Sequence, residues 1–356
     1  MSGVVLKNKL DINVKIPGCM KSDVANDNNS QSATPIILSI TGDSSEFMPN
    51  KDVPLTLIQD GRAVLQSGSS EQDGNQLAAS TFDKKGFCCL SHTTKVTKWN
   101  ESFLKGMIFG SQISRVYAHE VEDIIRNILL PNYEVIEVDC PPAVLRRGPG
   151  SKNKGVYGSG VHQDYGVTFV DYINNVSAFD PSGFAIKDIQ KKWESEEVKG
   201  MMVINFWRPI GGYTDDNPML YKPLALCDPS TVHMNDTVHV GYKAELFGGV
   251  KGKTTDQMSL KPNPNHKWYY YPRMTDDEVL VFKQIEVWKD DLKPREEFPI
   301  IRGCFHAAID DPNTPEGTEP RSSTECRVLV YLGEKKDEHD TEPWTPPTSK
   351  SACTIS

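Results

Sequence analysis

Val156-Tyr157-Gly158-Ser159-Gly160-Val161-His162-Gln163-Asp164, residues 156–164, is the stretch on which the fold turns. It reads as a β-strand with close-packing glycines that ends on a histidine and an aspartate two places apart. Side chains at i and i+2 of a strand project to one face, so His162 and Asp164 can grip a single ion. Of the eight histidines, His162 alone has an acidic residue two places on. A bare H-x-D also arises by chance, and the plain alternative makes His162 an exposed turn residue.

A second histidine, His306, lies far along the chain in Gly303-Cys304-Phe305-His306-Ala307-Ala308-Ile309-Asp310, another strand-like run. Two imidazoles and one carboxylate make the facial triad of non-haem Fe(II) oxygenases, which leaves three adjacent octahedral positions for a co-substrate and oxygen. The competing reading is a hydrogen-bonded core histidine. The arginines that follow favour the metal. A dicarboxylate co-substrate such as 2-oxoglutarate chelates iron through its keto-acid end, and its far carboxylate needs a permanently charged bidentate partner. Arg321 and Arg327 both qualify. If the runs around 306 and 325 form a hairpin across the Pro-, Asp- and Gly-rich turn 311–320, Arg327 lies closer to His306 than Arg321 does. Arg327 is therefore the favoured anchor. Arg321-x-Ser323, similar to the R-x-S pair of many such oxygenases, is the alternative.

Other residues join the candidate site. In Asn205-Phe206-Trp207-Arg208, Asn205 and Arg208 can reach the co-substrate or an anionic substrate, and an ion pair is the plain alternative for Arg208. Trp207 fills the core or lines the substrate side. Trp268-Tyr269-Tyr270-Tyr271 alternates along a strand, with core packing favoured over substrate stacking by Tyr269. Arg146–Gly155 is basic and Gly-rich without the ending of a phosphate loop, and reads as a flexible loop beside the site, with a lid as one role open to it. His233 and His239 lack the partner spacing of a zinc site.

Several segments, in order, carry a family resemblance: Phe82–Phe87 (FDKKGF), Val161–Asp164 (VHQD), Ile204–Ile210 (INFWRPI) and Pro223–Asp228 (PLALCD). Trp268–Met274 (WYYYPRM) with Asp277-Glu278, Phe305–Ala308 with Pro320-Arg321, and Cys326–Val330 complete the set. Across about 82–333 the chain resembles the fungal 2-oxoglutarate/Fe(II)-dependent hydroxylase/desaturase family of natural-product clusters, which includes a gibberellin desaturase. The resemblance implies a double-stranded β-helix (jelly-roll, cupin-like) with Fe(II), 2-oxoglutarate and O2, and His162, Asp164 and His306 as the metal ligands. It also implies oxidation of an unactivated C–H bond in a secondary-metabolite or amino-acid-derived small molecule, by hydroxylation, desaturation or cyclisation. Tyr165 departs from the family pattern after the metal aspartate and is expected to shape the substrate side. The rival readings are a non-catalytic small-molecule-binding barrel and a cupin-type hydrolase or isomerase.

Composition agrees with this picture. The 356 residues carry 39 Lys+Arg against 48 Asp+Glu, a net charge of −9, which argues against a general nucleic-acid partner. No apolar run approaches the roughly 18 residues of a membrane span. Residues 1–20 lack the pattern of a secretory signal, so a cytoplasmic protein is expected. The eight cysteines form no C-x-x-C pair and read as reduced thiols. The expected partner is a small molecule, with a homodimer left open.

Along the chain, residues 1–80 read as an N-terminal extension, with loops at Asp23–Ser32 and Ser67–Gln76 and strands at Pro35–Ile40 and Val53–Ile58, the latter extended by Arg62–Gln66. Thr81–Leu90 reads as a strand, and Trp99–Phe109 and Val116–Leu130 as helices. Strands follow at Tyr133–Val138, Val156–Tyr172, Met201–Trp207, Pro223–Cys227, Thr237–Tyr242, Lys267–Tyr271, Val279–Val287, Ile300–Ile309 and Arg327–Leu332. One further helix is expected from Ile186. The result is a mainly β unit over 81–333 with flanking helices, an antiparallel sandwich or barrel, followed by a mobile tail over 334–356.

Overall fold

The computed structural model describes residues 12–15, 36–38, 55–62, 71–99, 112–140, 144–148, 157, 160–247, 249–292 and 301–336. Its centre is the run Gly200–Pro209, strand β7 in chain-order numbering, every residue of which is buried. A strand buried throughout needs cover on both faces, and side-chain alternation divides that cover. Met202, Ile204 and Phe206 face a core shared with helix α1 (Glu71–Lys85) and the helical stretch 113–129. That stretch is α2 (Ala118–Ile124), entered and left through π-helical turns. On the other face, Met201 and Val203 meet α3 (Phe169–Ser177) and α4 (Phe184–Glu194), and Trp207 meets a second sheet.

Among the described residues, β7 belongs to a six-stranded sheet. Its order is β4 (Phe87–Ser91), β12 (Glu278–Trp288), β7, β14 (Ser323–Lys335) and β5 (Tyr133–Asp139), and β6 (Val144–Arg147) also pairs with β14. The second sheet is ordered β1 (Ile12–Lys15), β3 (Leu55–Asp60), β11 (Trp268–Tyr270), β8 (Leu224–Cys227) and β13 (His306–Ala308). A third holds β10 (Gln257–Leu260), β9 (Thr237–Tyr242) and β2 (Ile36–Leu38). All pairs are antiparallel except β3 with β11 and β2 with β9. Phe87, Trp207, Leu226, Tyr269 and Phe282 form the core between the two larger sheets. Trp268 and Tyr270 turn the opposite way, toward Met258 and Leu260 of β10. The four aromatics at 268–271 are all buried because both faces of β11 are covered.

The chain is thus mainly β with flanking helices. The expected helix over 116–130 and most expected strands are present. Several expectations need correction. Residues expected as loop and then strand, 71–85, are α1, which ends at Gly86. Gly86 has φ +75 and donates its N–H to the Phe82 carbonyl at 2.9 Å, a turn that favours a residue without a Cβ. The run 156–172 is not a strand where it is described. It makes single bridges at His162 and Gln163 and then enters α3 through a capping box. There Thr168 Oγ1 accepts from the Asp171 N–H at 3.2 Å and Asp171 Oδ2 accepts from the Thr168 N–H at 2.8 Å. Among the described residues two α-helices, not one, therefore follow residue 133. Ile300–Ile309 shortens to β13, which pairs with β8, whereas β14 pairs with β7. Residues 306 and 325 lie in different sheets and form no hairpin. Arg146 and Arg147 belong to β6 rather than to a flexible loop, and β10 was not foreseen. Arg62, expected to begin the strand extension, is helical. The loop expected at 23–32, the strand extension at 63–66, the helix over 100–109, the loop over 149–155 and the tail beyond 336 fall outside the described residues.

Candidate metal centre

His162 and His306 face each other as one antiparallel rung. His162 N–H donates to the His306 carbonyl at 3.1 Å, and His306 N–H to the His162 carbonyl at 2.9 Å. Residues directly opposite in such a pair share a face, and the two rings sit 4.3 Å apart between centroids. In each ring Nδ1 lies against the carbonyl oxygen two residues back, Gly160 at 2.8 Å for His162 and Cys304 at 3.2 Å for His306. A proton on Nδ1 satisfies both contacts and leaves both Nε2 lone pairs for a metal. Burial, aided by His162 beside it, pushes His306 down to about 3, so its imidazole is neutral at physiological pH.

Asp164 completes the cluster. One ligand atom from each of His162, Asp164 and His306 lies within 4.8 Å of the others, and His162 Nε2 is 3.9 Å from Asp164 Oδ1. The carboxylate is held from behind. Oδ2 accepts from Gln284 Nε2 at 2.7 Å and pairs with Arg327 Nη2 at 2.9 Å, which leaves Oδ1 facing the histidines. Burial alone would raise the Asp164 pKa, but the charge of Arg327, first among the groups that lower it, outweighs burial and helps hold the carboxyl below its usual range. Gln284 sits where the β12–β7 register shifts between Lys283 and Ile285, a bulge that turns its side chain toward the site. Its Oε1 also accepts the Asp164 N–H at 3.1 Å. From α3, Asn175 Nδ2 donates to the Asp164 carbonyl at 2.7 Å. Gln284 and Asn175 were not singled out from the sequence. The one signal for Gln284 is a polar pair, Lys283-Gln284, that breaks the apolar run Val279–Phe282.

The remaining candidates divide by face. Asn205 and Trp207 project from the same side of β7, opposite Arg327 and Glu325 of β14. Glu325 Oε1 accepts from Arg327 Nε at 2.7 Å and Asn205 Nδ2 at 3.1 Å. Arg321 is buried between the rings of Tyr157 and Trp207, 4.6 and 5.0 Å from their centroids. Its Nε donates to the Lys222 carbonyl at 2.7 Å and its Nη1 to Ser323 Oγ. No carboxylate among the described residues pairs with it, and burial lowers its pKa to about 10. Arg208 does not join the triad. It projects from the other face of β7, over Tyr117, and donates to the carbonyls of His92 and Asp276 at 2.7 and 2.6 Å. Tyr165 packs edge-on against Tyr172 of α3, with ring centroids 5.2 Å apart. Tyr269 lies in the inter-sheet core against Phe87, one strand from His306 through Leu226.

Residues 71–331 match the family described as "YDMC: Oxidoreductase/YMDC permease-like domain". The chain belongs to that family. Similar proteins include the hydroxylase/desaturase efuI of Hormonema carpetanum, 24% identical over 72% of this chain and 81% of the relative. The hydroxylase/desaturase CTB9 of Cercospora beticola is 23% identical over 72% of this chain and 74% of the relative. The resemblance read from the sequence is therefore also found by comparison. Among solved structures, the iron and alpha-ketoglutarate-dependent endoperoxidase NvfI shares the fold, with a TM-score of 0.56 and 16% identity over 91% of this chain and 99% of that one. Among the described residues of this oxidoreductase-family chain, no helix is long and apolar enough to cross a membrane.

Proposed function

We propose that the chain is a non-haem Fe(II)/2-oxoglutarate-dependent dioxygenase on a double-stranded β-helix, acting on an unactivated C–H bond of a small molecule in the cytosol. The observation that carries this reading is the convergence of His162, Asp164 and His306, with Nε2, Oδ1 and Nε2 left free by hydrogen bonds to their other atoms. Two neutral nitrogens and one carboxylate oxygen suit Fe(II), and the six described cysteines, all free thiols, suit a reducing compartment. Bound there, Fe(II) with 2-oxoglutarate and O2 supplies the oxidising chemistry for the substrate's C–H bond.

The chain's own residues position and shield. Gln284 and Arg327 fix Asp164 so that a single oxygen faces inward. Arg321, rather than Arg327, takes the far carboxylate of 2-oxoglutarate. Arg327 already holds two carboxylates, whereas Arg321 is a buried guanidinium with only neutral acceptors and Ser323 beside it. A carboxylate there offsets the cost of burying that charge. Trp207, stacked on Arg321, and Phe282, with its ring 5.0 Å from that of His306, keep water from the reacting centre. Asn205, which donates to Glu325 on the same face, would hold the keto-acid end of the co-substrate.

The test is a titration of 2-oxoglutarate into the anaerobic Fe(II) protein, with succinate measured after air is admitted. Arg321→Ala should weaken 2-oxoglutarate binding by at least about 100-fold, the loss of a bidentate charge pair. Equal binding by wild type and Arg321→Ala, or no succinate from wild type, contradicts the assignment.

A further inference from the structure

One charged residue at the site has no role in this scheme. Arg147 ends β6 directly across the ladder from Ser323, and its side chain is only partly buried. Cross-strand partners share a face with Cβ atoms about 5 Å apart, so Arg147 projects to the side that carries Ser323, Glu325 and Arg327. The end of β6 is clamped in place. Gly148 adopts φ +124, and a Cβ there would come within 2.5 Å of the Arg321 carbonyl, so the backbone after Arg147 lies flat on Arg321-Ser322. The charge of Arg147 is felt at both Asp164 and Arg321, which sets it beside the metal site. Yet no described residue forms an ion pair or a hydrogen bond with its guanidinium.

Formal charge sharpens the point. Among the described residues, the site face carries Arg147, Arg321 and Arg327 against Asp164 and Glu325. Fe(II) and the 2-oxoglutarate dianion cancel each other. The five side chains then sum to +1, and Arg147 is the guanidinium on that face with neither a carboxylate partner among the described residues nor a co-substrate role. A guanidinium in that position is a planar fork suited to a carboxylate.

Resting on the dioxygenase reading, we propose that Arg147 is the substrate-recognition residue and that the substrate is an anion, an apolar carbon skeleton bearing a carboxylate. The apolar body lies toward Trp207 and Phe282, and the carboxylate pairs with Arg147 at the β6–β14 edge. The pairing fixes which C–H bond faces the metal.

The probes are a tricyclic resin acid and its methyl ester, matched in shape and differing in charge. Each is titrated into the anaerobic Fe(II)·2-oxoglutarate complex, and binding is read from the change in the complex's visible charge-transfer band. The wild type should bind the acid at least ten-fold more tightly than the ester. Arg147→Ala should abolish that preference and Arg147→Lys should keep part of it, with 2-oxoglutarate affinity within two-fold of wild type in both. Retained preference in Arg147→Ala, or equal or absent binding of acid and ester by wild type, overturns the proposal. So does a fall in 2-oxoglutarate affinity, which would make Arg147 part of the co-substrate site. A wild type that forms no band with Fe(II) and 2-oxoglutarate fails at the dioxygenase reading itself, which separates the two results.

Discussion

At the scale of single residues, the site depends on how Asp164 is held. One carboxylate oxygen is tied to Gln284 and Arg327, and the other faces His162. Groups that orient a metal ligand commonly contribute ten- to a hundred-fold in metal affinity. Gln284→Leu should therefore weaken Fe(II) binding by about that factor, measured by anaerobic titration, while near-UV circular dichroism stays that of wild type. Unchanged affinity would show that Arg327 alone sets the carboxylate. The triad itself was legible because H-x-D sits in a short, well-delimited run and because histidines are few. Gln284 was not, because its orientation comes from a register shift on β12, which pairing with β7 creates and local sequence does not encode. The sequence favoured Arg327 over Arg321, the reverse of the proposed assignment, for a similar reason. The choice turns on which guanidinium already has a carboxylate, and that depends on contacts across sheets.

At the scale of elements, α3 braces the metal aspartate. The turn after Asp164 is closed by the Thr168–Asp171 capping box, and Asn175 on the helix reaches back to the Asp164 carbonyl. Thr168→Ala should cost about 1 kcal/mol of stability, read from urea denaturation, and should loosen Fe(II) binding as well. A stability loss with intact metal affinity would uncouple the helix from the site. Asn175 also donates to the Asp256 carbonyl at 2.8 Å, and Asp256 accepts from or pairs with His239 Nδ1 at 3.1 Å. The hydrogen bond to Asp256, opposed by burial, raises the His239 pKa above its usual value. A raised native pKa means that the native state holds the proton more tightly than the unfolded chain. The stabilisation is thus complete below about pH 6.5 and fades as pH rises through the native value. The stability difference between wild type and His239→Asn should be larger at pH 6 than at pH 9. These elements also mark the limits of sequence reading. The capping box at Thr168 and Asp171 was not read from the sequence, because the β-branched and aromatic residues around it favour a strand. Residues 71–85 carry enough polar side chains to pass for a loop, and become a helix because Ala78 and Phe82 find cover against the stretch 113–129.

At the scale of the whole molecule, the triad joins parts that are distant in the chain. His162 and Asp164 come from the segment leading into α3, and His306 from a short strand of the second sheet. An ion bound by all three staples these parts in the native state alone and stabilises it by mass action. At a hundred-fold excess over its dissociation constant the gain is about 2.7 kcal/mol, which raises Tm by several degrees in a chain of this size. His162→Ala should lose that Fe(II)-dependent shift while keeping the metal-free Tm within a few degrees of wild type. The mainly β pattern and the core of β7, β12 and β14 were readable from apolar runs. The division into sheets was not, because β13 and β14 look like a hairpin until their true partners, β8 and β7, are known. The most direct test is the visible spectrum of the anaerobic protein with Fe(II) and 2-oxoglutarate. Wild type should show the charge-transfer band of a chelated keto acid and His162→Ala should not. A wild type without the band, or a band that survives the substitution, would contradict the centre proposed at His162, Asp164 and His306.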